Sequence, residues 1–155
     1  LDGDAKPTVM DLDNDGLADL LVGNFKGRLV YIRNDSASFN IVRRDYRKID
    51  VDLGAAPYFA DLNNNGSKEL MIGTDAGRVL FLKNDRSDLS GSWSPIPKYG
   101  AKLSFLQGSV PVAADLDDDG DLDLITGSES GRVMLYRNDA VVREEELIQE
   151  LPEDE

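Results

Sequence analysis

Three nine-residue stretches carry side-chain oxygens at the spacing a hard cation needs. In the first, Asp11, Asp13, Asp15 and Asp19 take positions 1, 3, 5 and 9, with Gly16 at position 6 and the Leu17 carbonyl at position 7. The third repeats this with Asp115, Asp117, Asp119 and Asp123, Gly120 at position 6 and the carbonyl of Asp121 at position 7. The second is diluted to Asp61, Asn63, Asn65, the carbonyl of Ser67 and Glu69. Carboxylates crowded this closely repel one another unless a cation lies between them, and glycine at position 6 permits the reversal that turns them inward. An all-oxygen donor set suits Ca²⁺, and less well Mg²⁺, over zinc or copper. The expectation is a calcium site in the first and third turns and a weaker one in the second, which has only two formal charges.

Two plainer readings compete. An EF-hand shares positions 1 to 6 but needs a bidentate Glu at position 12 and flanking helices. Position 12 here is Val22, Ile72 or Thr126, and the flanks read as strands. A metal-free hairpin turn accounts for Asp-Gly and Asn-Gly. It does not account for acids recurring at positions 1, 3 and 9.

Composition narrows the chemistry further. Among 155 residues, 30 Asp and Glu against 17 Lys and Arg leave a formal net charge of −13, which argues against nucleic acid or an anionic membrane as partner. Cysteine and histidine are both absent. That removes disulfides, thiolate nucleophiles, zinc–thiolate sites and the commonest general base. No apolar run approaches the ~18 residues of a membrane span. At 41% hydrophobic residues the chain can build a core despite its acidity. Leu1 in place of an initiator Met reads as a processed or excised chain.

The turns belong to a repeat. Segments beginning at Asp11, Asp61 and Asp115 align through Gly16/Gly66/Gly120, Gly23/Gly73/Gly127, Gly27-Arg28/Gly77-Arg78/Gly131-Arg132 and the closing Asn34-Asp35/Asn84-Asp85/Asn138-Asp139. Each unit reads as β. A Pro-led run (from Pro7, Pro57 or Pro111) precedes the acidic turn, and a short apolar run (Leu20–Val22, Leu70–Ile72, Leu124–Thr126) follows it. A third run (Arg28–Arg33, Arg78–Lys83, Arg132–Arg137) is apolar on both faces, as in strands covered on both sides. A polar fourth strand is expected over Phe39–Tyr46, with a Pro-interrupted counterpart over Trp93–Tyr99. Val141–Leu151 reads as either strand or helix. The expected fold is all-β: a β-propeller of four-stranded antiparallel blades, with three blades in this chain. Blade 1 spans 1–53, blade 2 spans 54–107 and blade 3 spans 108–151, with an acidic tail over 152–155. A β-sandwich, the competing architecture, predicts no fixed period.

DLDNDGLADL, DLNNNGSKEL and DLDDDGDLDL, each inside a β unit, resemble the FG-GAP (VCBS-type) repeats of integrin α-subunit propellers and many bacterial secreted proteins. Gly54-Ala-Ala-Pro57 is similar to that family's Gly-Ala-Pro signature, with one extra Ala, and the Phe-Gly pair is absent. The resemblance implies a propeller holding Ca²⁺ in the loop between strands 1 and 2 of each blade. It leaves activity open, because the family is functionally mixed.

The function expected is a non-catalytic, calcium-stabilised binding scaffold acting outside the cytoplasm, extracellular or periplasmic. Its alternatives are a lectin-like propeller, or a carbohydrate-active lyase or hydrolase with an acid pair drawn from Asp45, Asp50, Asp52, Asp75 or Glu129. A protein or glycan partner is expected on the face opposite the metal turns. There the tips Asn24–Gly27, Thr74–Gly77 and Ser128–Gly131 vary, with Lys26, Asp75 and Glu129 as contact residues. Arg28, Arg78 and Arg132 are read as structural, and Trp93 and Tyr99 as cover for the edge of blade 2. Three blades leave two apolar flanks, with Val30/Ile32 and Met134/Tyr136 expected to face water. The assembly expected is a ring-closing homodimer, or membership of a longer propeller.

Overall fold

Short apolar runs set between Asp-, Asn- and Gly-rich turns satisfy their backbone groups most directly by pairing with the run before and the run after. The computed structural model describes residues 2–100, 103–138 and 149–150, and this pairing occurs in it three times. β1 (Lys6–Met10), β2 (Asp19–Gly23), β3 (Leu29–Asn34) and β4 (Phe39–Arg43) form one antiparallel sheet in sequence order. After a 3₁₀ turn at Tyr46–Lys48, β5 (Ala56–Ala60), β6 (Glu69–Gly73), β7 (Val79–Asn84) and β8 (Trp93–Pro95) form the second. β9 (Val110–Ala114), β10 (Asp123–Gly127), β11 (Val133–Tyr136) and the two-residue β12 (Gln149–Glu150) form the third. Among the described residues the fold is therefore all-β, with three four-stranded antiparallel sheets. Among the described residues no helix is long and apolar enough to cross a membrane.

The fourth strands are shorter than the sequence suggests. β4 ends at Arg43, where every strand residue is exposed and nothing rewards further pairing. β8 is held to three residues by Pro95 and Pro97, which cannot donate to a ladder. Of 141–151, Gln149 and Glu150 pair with Leu135 and Met134 as a strand. The rest of that span, and the acidic tail, lie outside the described residues.

Side-chain alternation decides which faces meet. Leu21, Leu29 and Tyr31 of the first sheet pack against Phe59, Leu70, Ile72 and Leu82 of the second. The opposite parity of the second sheet, Met71, Val79 and Phe81, packs against Leu124, Met134 and Tyr136 of the third. Both faces of the middle sheet are thus consumed, and β6 is buried at every position. Aromatic edges fasten the two cores: Tyr31 on Tyr46 at 5.9 Å between centroids, and Phe105 on Tyr136 at 5.4 Å. Trp93 leans on Phe59 and Tyr99 stands edge-on to Phe81, so both aromatics of the Pro-rich insert serve packing.

This parity corrects one expectation. Met134 and Tyr136 do not face water; they are buried against the second sheet, and Val30 is buried as well. A sheet offers only one parity to a given neighbour, and the third sheet gives its even residues of β11. The exposed apolar strand residues are instead Val9, Phe39, Ile41 and Val42 on the first sheet, and Val110, Val112 and Val133 on the third.

Two glycines set how closely the sheets approach. A Cβ on Gly23 would lie 2.0 Å from the Ala55 carbonyl oxygen, and one on Gly73 would lie 2.0 Å from that of Ser109. In both cases the ring of the following Pro57 or Pro111 closes the other side. Backbone cannot yield as a side chain can, so Gly73→Ala destabilises the chain by about 1–3 kcal/mol, read as a lower denaturation midpoint. An unchanged midpoint would show that the sheets slide apart freely at that joint.

Candidate metal centre

Each acidic turn joins the first two strands of its sheet and is held by its own carboxylates. In the first, the Asp11 carboxylate accepts from the N–H groups of Asp15 (3.2 Å) and Gly16 (2.8 Å), and Asp15 Oδ1 accepts from the Leu17 N–H at 2.9 Å. In the second, Asp61 accepts from Asn65 and Gly66, and Asn65 Oδ1 from Ser67. In the third, Asp115 accepts from Gly120, and Asp119 Oδ1 from Asp121. The glycines of these turns serve conformation rather than space. Gly16, Gly66 and Gly120 have φ of +87°, +84° and +93°, and a Cβ on any of them would meet nothing within 4 Å.

The turns bring the predicted ligands together unequally. Asp11, Asp13 and Asp15 each place a carboxylate oxygen within 4.8 Å of the others, and Asp115, Asp117 and Asp119 do the same. Three hard oxygens at that separation fit a calcium-sized ion, with backbone carbonyl and water completing its shell. Loss of solvation, then the neighbouring Asp119 and Asp123 carboxylates, push Asp117 above its ordinary range, against the pull of Arg137. A cation relieves that repulsion. The second turn gathers no such triad among the described residues. Its Asn63 Nδ2 instead donates to Glu69 Oε1 at 3.1 Å, and its Asn64 reaches the third turn, donating to the Gly120 carbonyl (2.8 Å) and Asp121 Oδ1 (3.1 Å).

Position 9 has a structural task. Asp19 is fully buried; its Oδ2 accepts from the Leu12 N–H (3.0 Å) and the Tyr31 hydroxyl (3.1 Å), and its Oδ1 from the Asn34 N–H (2.8 Å). Asp123 repeats this with Leu116 and Asn138, and Glu69 accepts from Leu62. Burial, then the bond to Asp19, drives the Tyr31 phenol upward, so it remains a donor. Burial likewise raises Glu69 above the usual carboxylate range, opposed by the Leu62 N–H. The position-9 acids thus tie the start of each turn to β2, β6 or β10, and two of them also reach the residue closing β3 or following β11.

Sequence reasoning passed over the cations beside these turns. Arg33 Nε lies 3.0 Å from Asp13 Oδ2, with its NH2 3.7 Å from Asp15, and Arg137 NH1 lies 3.2 Å from Asp117. The signal was legible: a basic residue precedes each closing Asn-Asp, at Arg33, Lys83 and Arg137. The more conspicuous Gly-Arg residues act elsewhere. Arg78 pairs with Asp52, and Arg28 bridges Asp50 through the backbone.

The model of the FG-GAP-like repeat matches this chain twice, over residues 11–72 and 61–126, so each match begins at the first acid of a turn and runs into the following unit. No curated protein matches the chain. Carboxylate turns recurring once per four-stranded sheet, and two family matches that together span most of the sequence, place this chain in the FG-GAP-like repeat family.

Proposed function

We propose that the chain is a calcium-stabilised propeller segment, a non-catalytic interaction scaffold acting outside the cytoplasm. The observation that carries the reading is the pair of carboxylate triads, Asp11/Asp13/Asp15 and Asp115/Asp117/Asp119, in turns that the fold repeats at one end of successive sheets. Such exposed oxygen sites suit the high calcium concentrations of extracellular and periplasmic space. FG-GAP-type repeats serve typically as non-enzymatic scaffolds, which supports the same reading. Two of the acids that could form a hydrolytic pair are already engaged, Asp52 with Arg78 and Asp75 with Lys6. Packing of Trp93 and Tyr99 on Phe59 and Phe81 favours a protein partner over a sugar stacked on those rings.

The partner face is the one opposite the metal turns. In an antiparallel sheet the β2–β3 and β6–β7 loops emerge at the far end from the β1–β2 turn. At that end a cleft of about 540 Å³ is lined by Asp50, Asp52, Arg78, Ser104 and Phe105, and Lys26 projects from the neighbouring tip. Asn24 and Thr74, the first residues of their tips, are buried in the joints between sheets, so contact falls to the outer residues. Lys26→Glu and Asp50→Lys reduce capture of the partner in a calcium-containing pull-down at least about tenfold, with the melting temperature unchanged. A glycan array run beside it decides the partner's class, since strong sugar binding there overturns the protein reading. Loss of capture by changes in the metal turns at unchanged stability would overturn the assignment of faces.

A further inference from the structure

The third strand of a sheet returns a basic residue to the acidic turn. β3 runs antiparallel to β2, so its end arrives beside the turn from which β2 departs. There the Asn34 N–H meets Asp19, and Arg33 meets the triad. Arg33 Nε lies 3.0 Å from Asp13 Oδ2, and its Nη2 lies 3.7 Å from Asp15 Oδ2. Arg137, one residue past β11, puts Nη1 3.2 Å from Asp117 Oδ2, next to Asn138, whose N–H meets Asp123. Lys83 holds the same register near the end of β7. Among the described residues it has no ion pair, and its turn gathers no triad. A guanidinium therefore accompanies each triad, and no cation is seated where the triad is missing.

These contacts fall on the same carboxylates that gather in the triads, Asp13, Asp15 and Asp117. With nothing between them, the like charges of a triad repel, and the guanidinium offsets part of that repulsion. Once a divalent cation is ligated by those carboxylates, the repulsion is gone and the guanidinium faces a like charge within a Debye length. Coupling between two groups that bind one site is reciprocal. The stability an arginine gives the empty turn therefore returns as a loss of calcium affinity. Arg33 and Arg137 are 47% and 48% exposed, so solvent screens both pairs. The coupling is then that of a surface ion pair, about two- to fivefold in an equilibrium constant.

We propose that Arg33 and Arg137 are the resident counter-cations of the two triads, holding each turn together when it is empty and setting its calcium affinity low. The assignment rests on the calcium reading above. Arg33 reaches two triad carboxylates and Arg137 one, so the first site is tuned down further than the third. A weakened site keeps responding where calcium is plentiful, in the affinity range of extracellular calcium modules. The arginines also narrow the gap in stability between the empty and the filled chain, because they support only the empty one.

Calcium titration calorimetry on the full chain, first stripped with chelator, is paired with melts in chelator and in saturating calcium. Arg33→Gln binds calcium about two- to fivefold more tightly at low salt, Arg137→Gln gains less, and both gains shrink at about 0.5 M salt. The Arg33→Gln melt falls by at most about 4 °C in chelator and keeps the wild-type value in saturating calcium. Arg33→Lys retains the charge and with it most of the wild-type affinity, and Lys83→Gln changes neither readout. Weaker or unchanged calcium binding by Arg33→Gln overturns the proposal. So does a melt lowered equally with and without calcium, the mark of an ordinary ion pair. A wild-type chain that takes up no calcium overturns the calcium reading as well, whereas one that binds it while the variants bind it equally overturns the role of the arginines alone.

Discussion

In chelator, Asp19→Ala lowers the melting temperature far more than Asp13→Ala, and its penalty is nearly the same in calcium. Asp13 is exposed and its partner Arg33 is on the surface, so its loss in chelator costs at most about 1 kcal/mol. Asp19 is buried beneath the turn and accepts from Leu12, Tyr31 and Asn34. Truncating it strands two backbone N–H groups and a phenol whose proton is held firmly. At about 1.5–3 kcal/mol per bond to a charged group, discounted for relaxation and water entry, the loss is about 3–5 kcal/mol. For a chain of this size that is a fall of about 10 °C. Tyr31→Phe removes one of the three bonds and about 1 kcal/mol. Calorimetry with and without chelator separates the roles. An Asp19→Ala penalty that disappears in chelator would make position 9 a ligand and nothing more.

Chelation is the second large effect. A cation bound only to the folded chain stabilises it by RT ln(1 + [Ca²⁺]/Kd), about 2.7 kcal/mol per site at a hundredfold excess over Kd. Two triads therefore give a melting temperature about 10–20 °C higher in calcium than in chelator. Asp117→Ala removes about half of that difference. Asn63→Ala removes little, because Asn63 already donates to Glu69 and its turn gathers no triad. A melt indifferent to chelator at low salt would leave the turns as self-satisfied hairpins, held by their own side-chain hydrogen bonds.

Most of this architecture is local, and local features are legible in a linear chain. Gly16, Gly66 and Gly120 announce a reversal because only glycine adopts their φ cheaply, and acids two apart converge once that reversal is made. Pairing of the first three strands of each sheet is as direct, since each apolar run is joined to the next by a turn of eight residues or fewer. The FG-GAP-type repeat was readable because its acids and glycines recur in register along the chain, and the family matches follow that register.

What was not legible depends on which side of a strand meets another strand dozens of residues away. Alternation shows that β11 has two apolar parities but not which one the second sheet takes, so nothing local reveals that Met134 and Tyr136 are buried against Phe81 and Phe105. Position 9 has the residue type of a fourth ligand, and its second task as an anchor is not written in the residue type. Only burial, and the arrival of the Asn34 N–H from the end of β3 and of the Asn138 N–H from beyond β11, make Asp19 and Asp123 anchors of the turn. Glycines at 23, 73 and 127 are identical as letters. Two lie under a carbonyl of the next sheet and one does not, and that difference exists only once the sheets are stacked. Periodicity and turn chemistry act over a few residues and were written in the chain; the choice of face, the depth of burial and the distance between backbones arise from packing, which sums over residues far apart in sequence.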